Sequence, residues 1–271
     1  IGSCFFVFFA IFLGALKLTY SKEIVLLTSL FLISILMKML MTNIKKDQRA
    51  TIIGTAIIIF VYRSMPAPGP GLNWYEIDIL GFNQSFFAVL TIVSATITLL
   101  GMLIFKKFMV QTALFKLFII LSIFSSVLYL PSLFLYYEFH KFTSTYTYGI
   151  VDERFIAIIN TAVESPLSQV AMIPLLAWIA KNAPLKYKAT FFAVFASFTN
   201  LALSARELFT SYLNKIFIIK RDIYEDGTNI LIEKSDYTNL DNLLITIILT
   251  TLIIPIITIV VVQNSKFKSK E

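Results

Sequence analysis

Eight long apolar runs, each bounded by charged or turn-forming residues, constrain this chain more than anything else in it. They cover residues 1–16, 24–41, 51–63, 82–105, 113–137, 155–180, 189–217 and 243–262. The hydrocarbon core of a bilayer is about 30 Å thick and is crossed by about 20 apolar residues in a helix. Lipid offers no partner for backbone N–H and C=O groups, so runs of this kind span as helices. The expected fold is an all-α membrane protein of about eight transmembrane helices. Composition excludes the main competitors. The chain is 58% hydrophobic and 14% charged, with 26 Phe, and its mean hydropathy is +0.81. A soluble domain carries about 25% charged residues, and a disordered segment has few aromatics.

Charge gives an orientation. The formal net charge is +7, but the basic residues are not scattered. Alternate connections carry Lys45, Lys46 and Arg49, then Lys106 and Lys107, then Lys181, Lys186 and Lys188, and Lys266, Lys268 and Lys270 end the chain. The other connections hold most of the acid, including Glu76, Asp78, Glu138, Asp152, Glu153 and Asp236. Lys/Arg-rich loops face the cytoplasm, which puts both ends there and accounts for the charge without nucleic acid. The expected setting is a bacterial inner (cytoplasmic) membrane. The chain opens Ile1-Gly2-Ser3-Cys4 with no Met and no charged leader before its first apolar run. The expectation is that an upstream part precedes it.

Chemistry has few places to reside. One Cys (Cys4) and one His (His140) permit neither an internal disulfide nor a Cys- or His-based metal site, and no cofactor is expected. Ser64-Met65-Pro66-Ala67-Pro68-Gly69-Pro70-Gly71 cannot continue a helix and is read as an outer loop. Pro166 and Pro174 should kink the sixth helix. Ionisable groups inside spans are costly and mark function. They are Lys38, Arg63, Glu164, Arg206 and Glu207, of which Lys38 can snorkel from a helix end. Glu164 lies 17 residues before Lys181 and Arg206 18 residues after Lys188. At about 1.5 Å per residue both are roughly 25 Å from the same rim. Polar stripes run beside them: Asn160, Glu164 and Ser168 on one helix, Asn200, Ser204 and Glu207 on the next. A buried ion pair and a substrate or proton site both fit this pattern.

Three blocks in order carry a family likeness. The first is Met65-Pro66-Ala67-Pro68, Asn73-Trp74-Tyr75, Leu80-Gly81-Phe82 and Leu100-Gly101. The second is Gly149-Ile150-Val151-Asp152-Glu153-Arg154-Phe155 with Met172-Ile173-Pro174. The third is Ala183-Pro184, Ala189-Thr190, Phe192-Ala193 and the stretch from Ser197 to Asn200. From about residue 51 to 262 the chain resembles the folate–biopterin transporters of the major facilitator superfamily. It departs from them at Asn160, where the family often has an acidic residue, and at Lys186 and Lys188. The resemblance implies a twelve-helix architecture. In it, residues 1–42 are the last two helices of a truncated N-terminal bundle, 43–50 a cytoplasmic basic linker, 51–263 a six-helix C-terminal bundle and 264–271 a cytoplasmic tail. It implies a secondary transporter of folate or pterin-like organic anions, proton-coupled, and not an enzyme. Arg63, Arg206 and Asn200 would bind the anionic substrate, and Glu164 or Glu207 would carry the proton or form an ion pair. The implied partners are the small-molecule anion, the bilayer and a separate chain bearing the missing helices. The competing expectation is an inactive remnant or structural membrane subunit.

Overall fold

The computed structural model describes residues 2–16, 20–42, 44, 46–170, 188–224 and 231–268. Among these, helices account for nearly all regular structure. They are α1 (Gly2–Ala15), α2 (Ser21–Met41), α3 (Lys46–Arg63), α4 (Pro70–Asp78), α5 (Gln84–Gln111), α6 (Leu114–Val127), α7 (Leu130–Tyr136), α8 (Phe139–Tyr146), α9 (Glu153–Val170), α10 (Lys188–Ile216) and α11 (Leu240–Gln263). A short antiparallel hairpin, β1 (Ile223–Tyr224) and β2 (Leu231–Glu233), precedes α11.

Among the described residues, five stretches are long and apolar enough to cross a membrane: Ser21–Met41, Gln84–Phe108, Leu114–Tyr136, Lys188–Ile216 and Leu240–Gln263. Their outward faces are apolar and unpacked: Phe31 is 65% exposed on α2 and Leu103 75% on α5. Such faces are stable only against lipid, so the chain is an integral multi-pass membrane protein. The kink expected at Pro174 lies outside the described residues, and α9 runs through Pro166 to Val170.

The packing has α3 at its middle, touching α6, α10 and α11. α5 lies along α9, and α2 lies along α10 with α1 outside it. At the basic end, one apolar cluster joins Ile59, Leu117, Phe118, Leu121, Phe191 and Phe195. At the acidic end, a second joins Tyr75, Tyr237, Leu240, Leu243, Leu244 and Ile247. The two are separated along the helices by a band rich in polar side chains.

Three elements differ from the sequence expectation. α3 begins at Lys46, inside the expected basic linker, because charged helix formers extend a helix past the hydrocarbon without cost. Arg49 then folds back, donating from Nε to the Ile44 carbonyl at 2.7 Å and from Nη2 to the Thr42 carbonyl at 2.9 Å. A cation there suits the C-terminal end of α2. The run 113–137 is divided into α6 and α7, with Pro131 in the first turn of α7. The Pro-rich segment is not an exposed outer loop: Ser64 and Met65 are buried, and the chain resumes as a helix at Pro70. Residues 64–69 therefore interrupt the helical run between α3 and α4 within the bundle.

Candidate functional site

The break between α3 and α4 frees backbone groups that lipid cannot satisfy. Two side chains one turn apart on α10 take them up. The Ala67 N–H donates to Thr210 Oγ1 at 3.0 Å, and the Gly71 N–H donates to Asn214 Oδ1 at 3.2 Å. Asn214 Nδ2 donates in turn to the Pro68 carbonyl at 3.0 Å. Gly69 permits the approach. It has φ 66° and ψ −154°, a region essentially restricted to glycine. A Cβ there would also lie 2.5 Å from Thr210 Cγ2. A broken helix held this way presents ionisable side chains to an internal cavity and leaves the backbone paired.

The polar band crosses the middle of several helices. Ser125 is midway along Leu114–Tyr136, Thr251 lies at the middle of α11, and Arg206 is about one turn from the middle of α10. The Tyr62 and Ser125 hydroxyls share a hydrogen bond of 3.1 Å, which places Arg63 at the same depth. On the far side, Thr98 Oγ1 donates to the Ser165 carbonyl at 3.1 Å and Ser165 Oγ to Ser94 Oγ at 2.9 Å. These bonds stitch α5 to α9 immediately beside Glu164.

Two adjoining cavities open in this band. The smaller, about 140 Å³, is bordered by Tyr62, Arg63, Ser125, Tyr129, Glu164 and Arg206. The larger, about 350 Å³, is bordered by Asn73, Glu76, Tyr129, Asn160, Glu164 and Arg206 among others. Tyr129, Glu164 and Arg206 belong to both. The two guanidinium groups repel each other across the smaller cavity. Arg63 Nε is buried with no hydrogen-bond partner. Arg206 attracts the Glu164 carboxylate, yet the two do not come within 4.0 Å. The ion pairs among the described residues are Lys141–Glu138, Lys220–Glu233 and Arg221–Asp78, all at the acidic end. An uncompensated cation in such a place is costly, and an anion between the two arginines would relieve it.

The structure therefore brings Arg63, Glu164 and Arg206 together and separates the other expected site residues from them. Asn200 is exposed and borders neither cavity. Glu207, next to Arg206 in sequence, points about 100° away around α10. It borders instead a groove of about 970 Å³ between α2 and α10, with Lys22 and Lys215. Sequence reasoning missed Glu76, Tyr129 and the Thr210/Asn214 clamp. The clamp had a signal, since Thr210 and Asn214 are four residues apart on a helix that faces a proline-rich break.

A lipid-exposed helical bundle with a broken helix and charged residues around a cavity halfway through it defines a class, that of multi-pass membrane proteins built around a polar centre. The particular family follows from comparison with known proteins: the chain belongs to the BT1 family, whose model matches residues 9–271. It is similar to "Folate transporter 2" of Plasmodium falciparum (isolate 3D7), 26% identical over 172 residues, which is 64% of this chain and 36% of that protein. "Putative folate transporter 2" of Plasmodium berghei (strain Anka) is 24% identical over 172 residues, with the same shares. The match thus spans about a third of the length of these relatives. Both come from Plasmodium, and neither supports the expected bacterial inner membrane. No solved structure matches the chain.

Proposed function

We propose that the chain moves folate or pterin-like organic anions across a membrane, with the two cavities at the α3–α4 break as the substrate site. One observation carries the reading: two mutually repelling guanidinium groups, Arg63 and Arg206, border one cavity, and among the described residues no carboxylate forms an ion pair with either. Such a pair is matched to a carboxylate ligand. Membership of the BT1 family and the names of the Plasmodium relatives supply the substrate class. Glu164, on the cavity wall beside Arg206, is the candidate proton carrier. Alternating access would open the site to one face and then to the other by rocking helices around it. The basic end would face the cytoplasm, so Cys introduced at Tyr148 and at Lys268 should label from opposite sides.

Uptake of labelled folate into vesicles carrying the chain tests the reading. Arg63→Gln and Arg206→Gln should each lower uptake about tenfold or more, the loss expected for a charge-assisted hydrogen bond. Wild-type uptake in both variants would overturn the site. Glu164→Gln should abolish uptake driven by a pH gradient and preserve exchange of folate for folate. If both processes survive, Glu164 carries no coupling proton.

A further inference from the structure

The arginine pair accounts for the smaller cavity only. Arg206 borders the larger one too, but the end of it away from Arg63 has a different character. Glu76 approaches it from α4 and Glu164 from α9, close enough that the charge of Glu164 acts on Glu76. Asn160 lies one turn from Glu164 on the same face of α9, and its Oδ1 is buried without a hydrogen-bond partner. This end is therefore rich in acceptors, whereas the Arg63 end is rich in donors. Phe87 and Leu90 supply apolar wall to the larger cavity, and Tyr129 stands between the two.

Size separates the two spaces as well. At about 350 Å³ the larger cavity falls within the ~300–1,000 Å³ range of small-molecule pockets, and at about 140 Å³ the smaller falls below it. The larger can take a fused ring system. The smaller suits a compact group such as a carboxylate.

Resting on the transport reading above, we propose that the substrate lies across both cavities in one fixed direction. Its carboxylate end sits at Arg63 and Arg206, and the N–H-bearing edge of its heterocycle sits against Glu76 and Asn160. An aminopyrimidinone edge offers adjacent N–H donors, which the two oxygens of one carboxylate accept side by side. Donors placed there also relieve the repulsion between Glu76 and Glu164. Glu76 is thus the residue that selects the pterin ring, and Arg63 the residue that selects the acidic tail.

Competition against labelled folate bound to the purified full chain tests this, with biopterin as the ring half and p-aminobenzoylglutamate as the tail half. Both should compete in the wild type. In Glu76→Gln, which replaces an acceptor oxygen with a donor amide, biopterin should weaken about tenfold or more and p-aminobenzoylglutamate should be unchanged. In Arg63→Gln the pattern should reverse. Retention of one half in each variant shows that the protein is folded. Equal weakening of both halves in the two variants, or no weakening of either, would overturn the fixed direction and leave transport standing. Failure of the wild-type chain to bind folate at all would overturn the transport reading itself, before any variant is compared.

Discussion

The two ends of the bundle are closed by different physics. At the basic end, Leu117, Phe118 and Phe195 are fully buried, Tyr62 meets Phe118 edge-on at 4.9 Å, and no ion pair is found among the described residues. At the acidic end, the hairpin segment is latched by polar groups. Arg221 forks onto Asp78, with Nη2 2.7 Å from Oδ1 and Nε 3.1 Å from Oδ2, and the Tyr237 hydroxyl donates to Asp78 Oδ2 at 2.6 Å. The Tyr136 and Tyr137 hydroxyls donate to the Thr238 carbonyl and to Asp241 Oδ2, at 3.1 and 3.0 Å. Apolar packing is insensitive to salt and pH, whereas surface ion pairs are screened by salt and lost on protonation. A molecule closed in these two ways has one end that solution conditions can loosen and one that they cannot.

Phe118 is where the comparison breaks most visibly. Phe118→Ala removes a side chain that is 0% exposed and leaves a cavity between α3 and α6. Truncations of this size cost about 3–5 kcal/mol in soluble cores. In lipid the hydrophobic drive between helices is absent and packing remains, so about 2–4 kcal/mol is expected. Thermal unfolding in detergent should show a lowered midpoint with the same dependence on salt as the wild type. A new salt dependence would mean that the acidic-end latch had been opened as well.

The break between the two ends comes next. Gly69→Ala meets both an unfavourable backbone region and a 2.5 Å contact with Thr210 Cγ2, for about 1–3 kcal/mol. Thr210→Ser in the same chain removes the methyl contact, keeps the hydroxyl that accepts from the Ala67 N–H and keeps the backbone strain, so it should restore only part of the loss. Full restoration would assign the whole effect to crowding. No effect of Gly69→Ala would show that the α3–α4 break is not held in this form.

Much of this was legible in the residues, and the gaps have physical causes. The long spans stood out because about 20 apolar residues in succession have no other stable use, and Lys188–Ile216 and Leu240–Gln263 fall within a few residues of their expected limits. Glu164 and Arg206 were placed in one layer by counting helical rise from the basic rim, and the structure puts both on the same cavities. Counting cannot distinguish a helix that ends from one that breaks and resumes, so residues 64–71 read as a surface loop. Their burial depends on Thr210 and Asn214, more than 140 positions away. Glu76 was passed over for the same reason, because it lay in what looked like a connection. Glu207 was named from its polar stripe with Asn200 and Ser204, and helical rotation turns that stripe toward the groove beside α2 and away from the cavities that Arg206 borders.

The smallest expected effect concerns the latch, and its sign can be worked out. Burial pushes the Asp78 carboxyl up, but hydrogen bonds from Arg221 and Tyr237 outweigh this and hold it below the usual carboxylate value. A depressed folded value means that the latch contributes fully above the unfolded carboxylate range, near pH 4. That contribution is lost as pH falls through the lower folded value. The pair is partly exposed, with side chains 44% and 23% accessible for Arg221 and Asp78, so solvent screening limits its worth to about 1 kcal/mol or less. Asp78→Asn should therefore lower stability slightly at pH 7 and flatten its dependence on pH in the acid range. About 1 M salt, where screening acts within ~3 Å, should bring the wild type close to the variant. Protease cleavage within β1 or β2, followed against pH and salt, reads the latch directly, because the Phe118 cluster at the other end does not respond to either. Equal nicking of wild type and Asp78→Asn across the whole acid range would show that Asp78 does not hold the hairpin. The closure of the acidic end would then rest on Tyr75, Tyr237 and Leu240 packing alone, and the two ends would differ in composition but not in how they respond to solution.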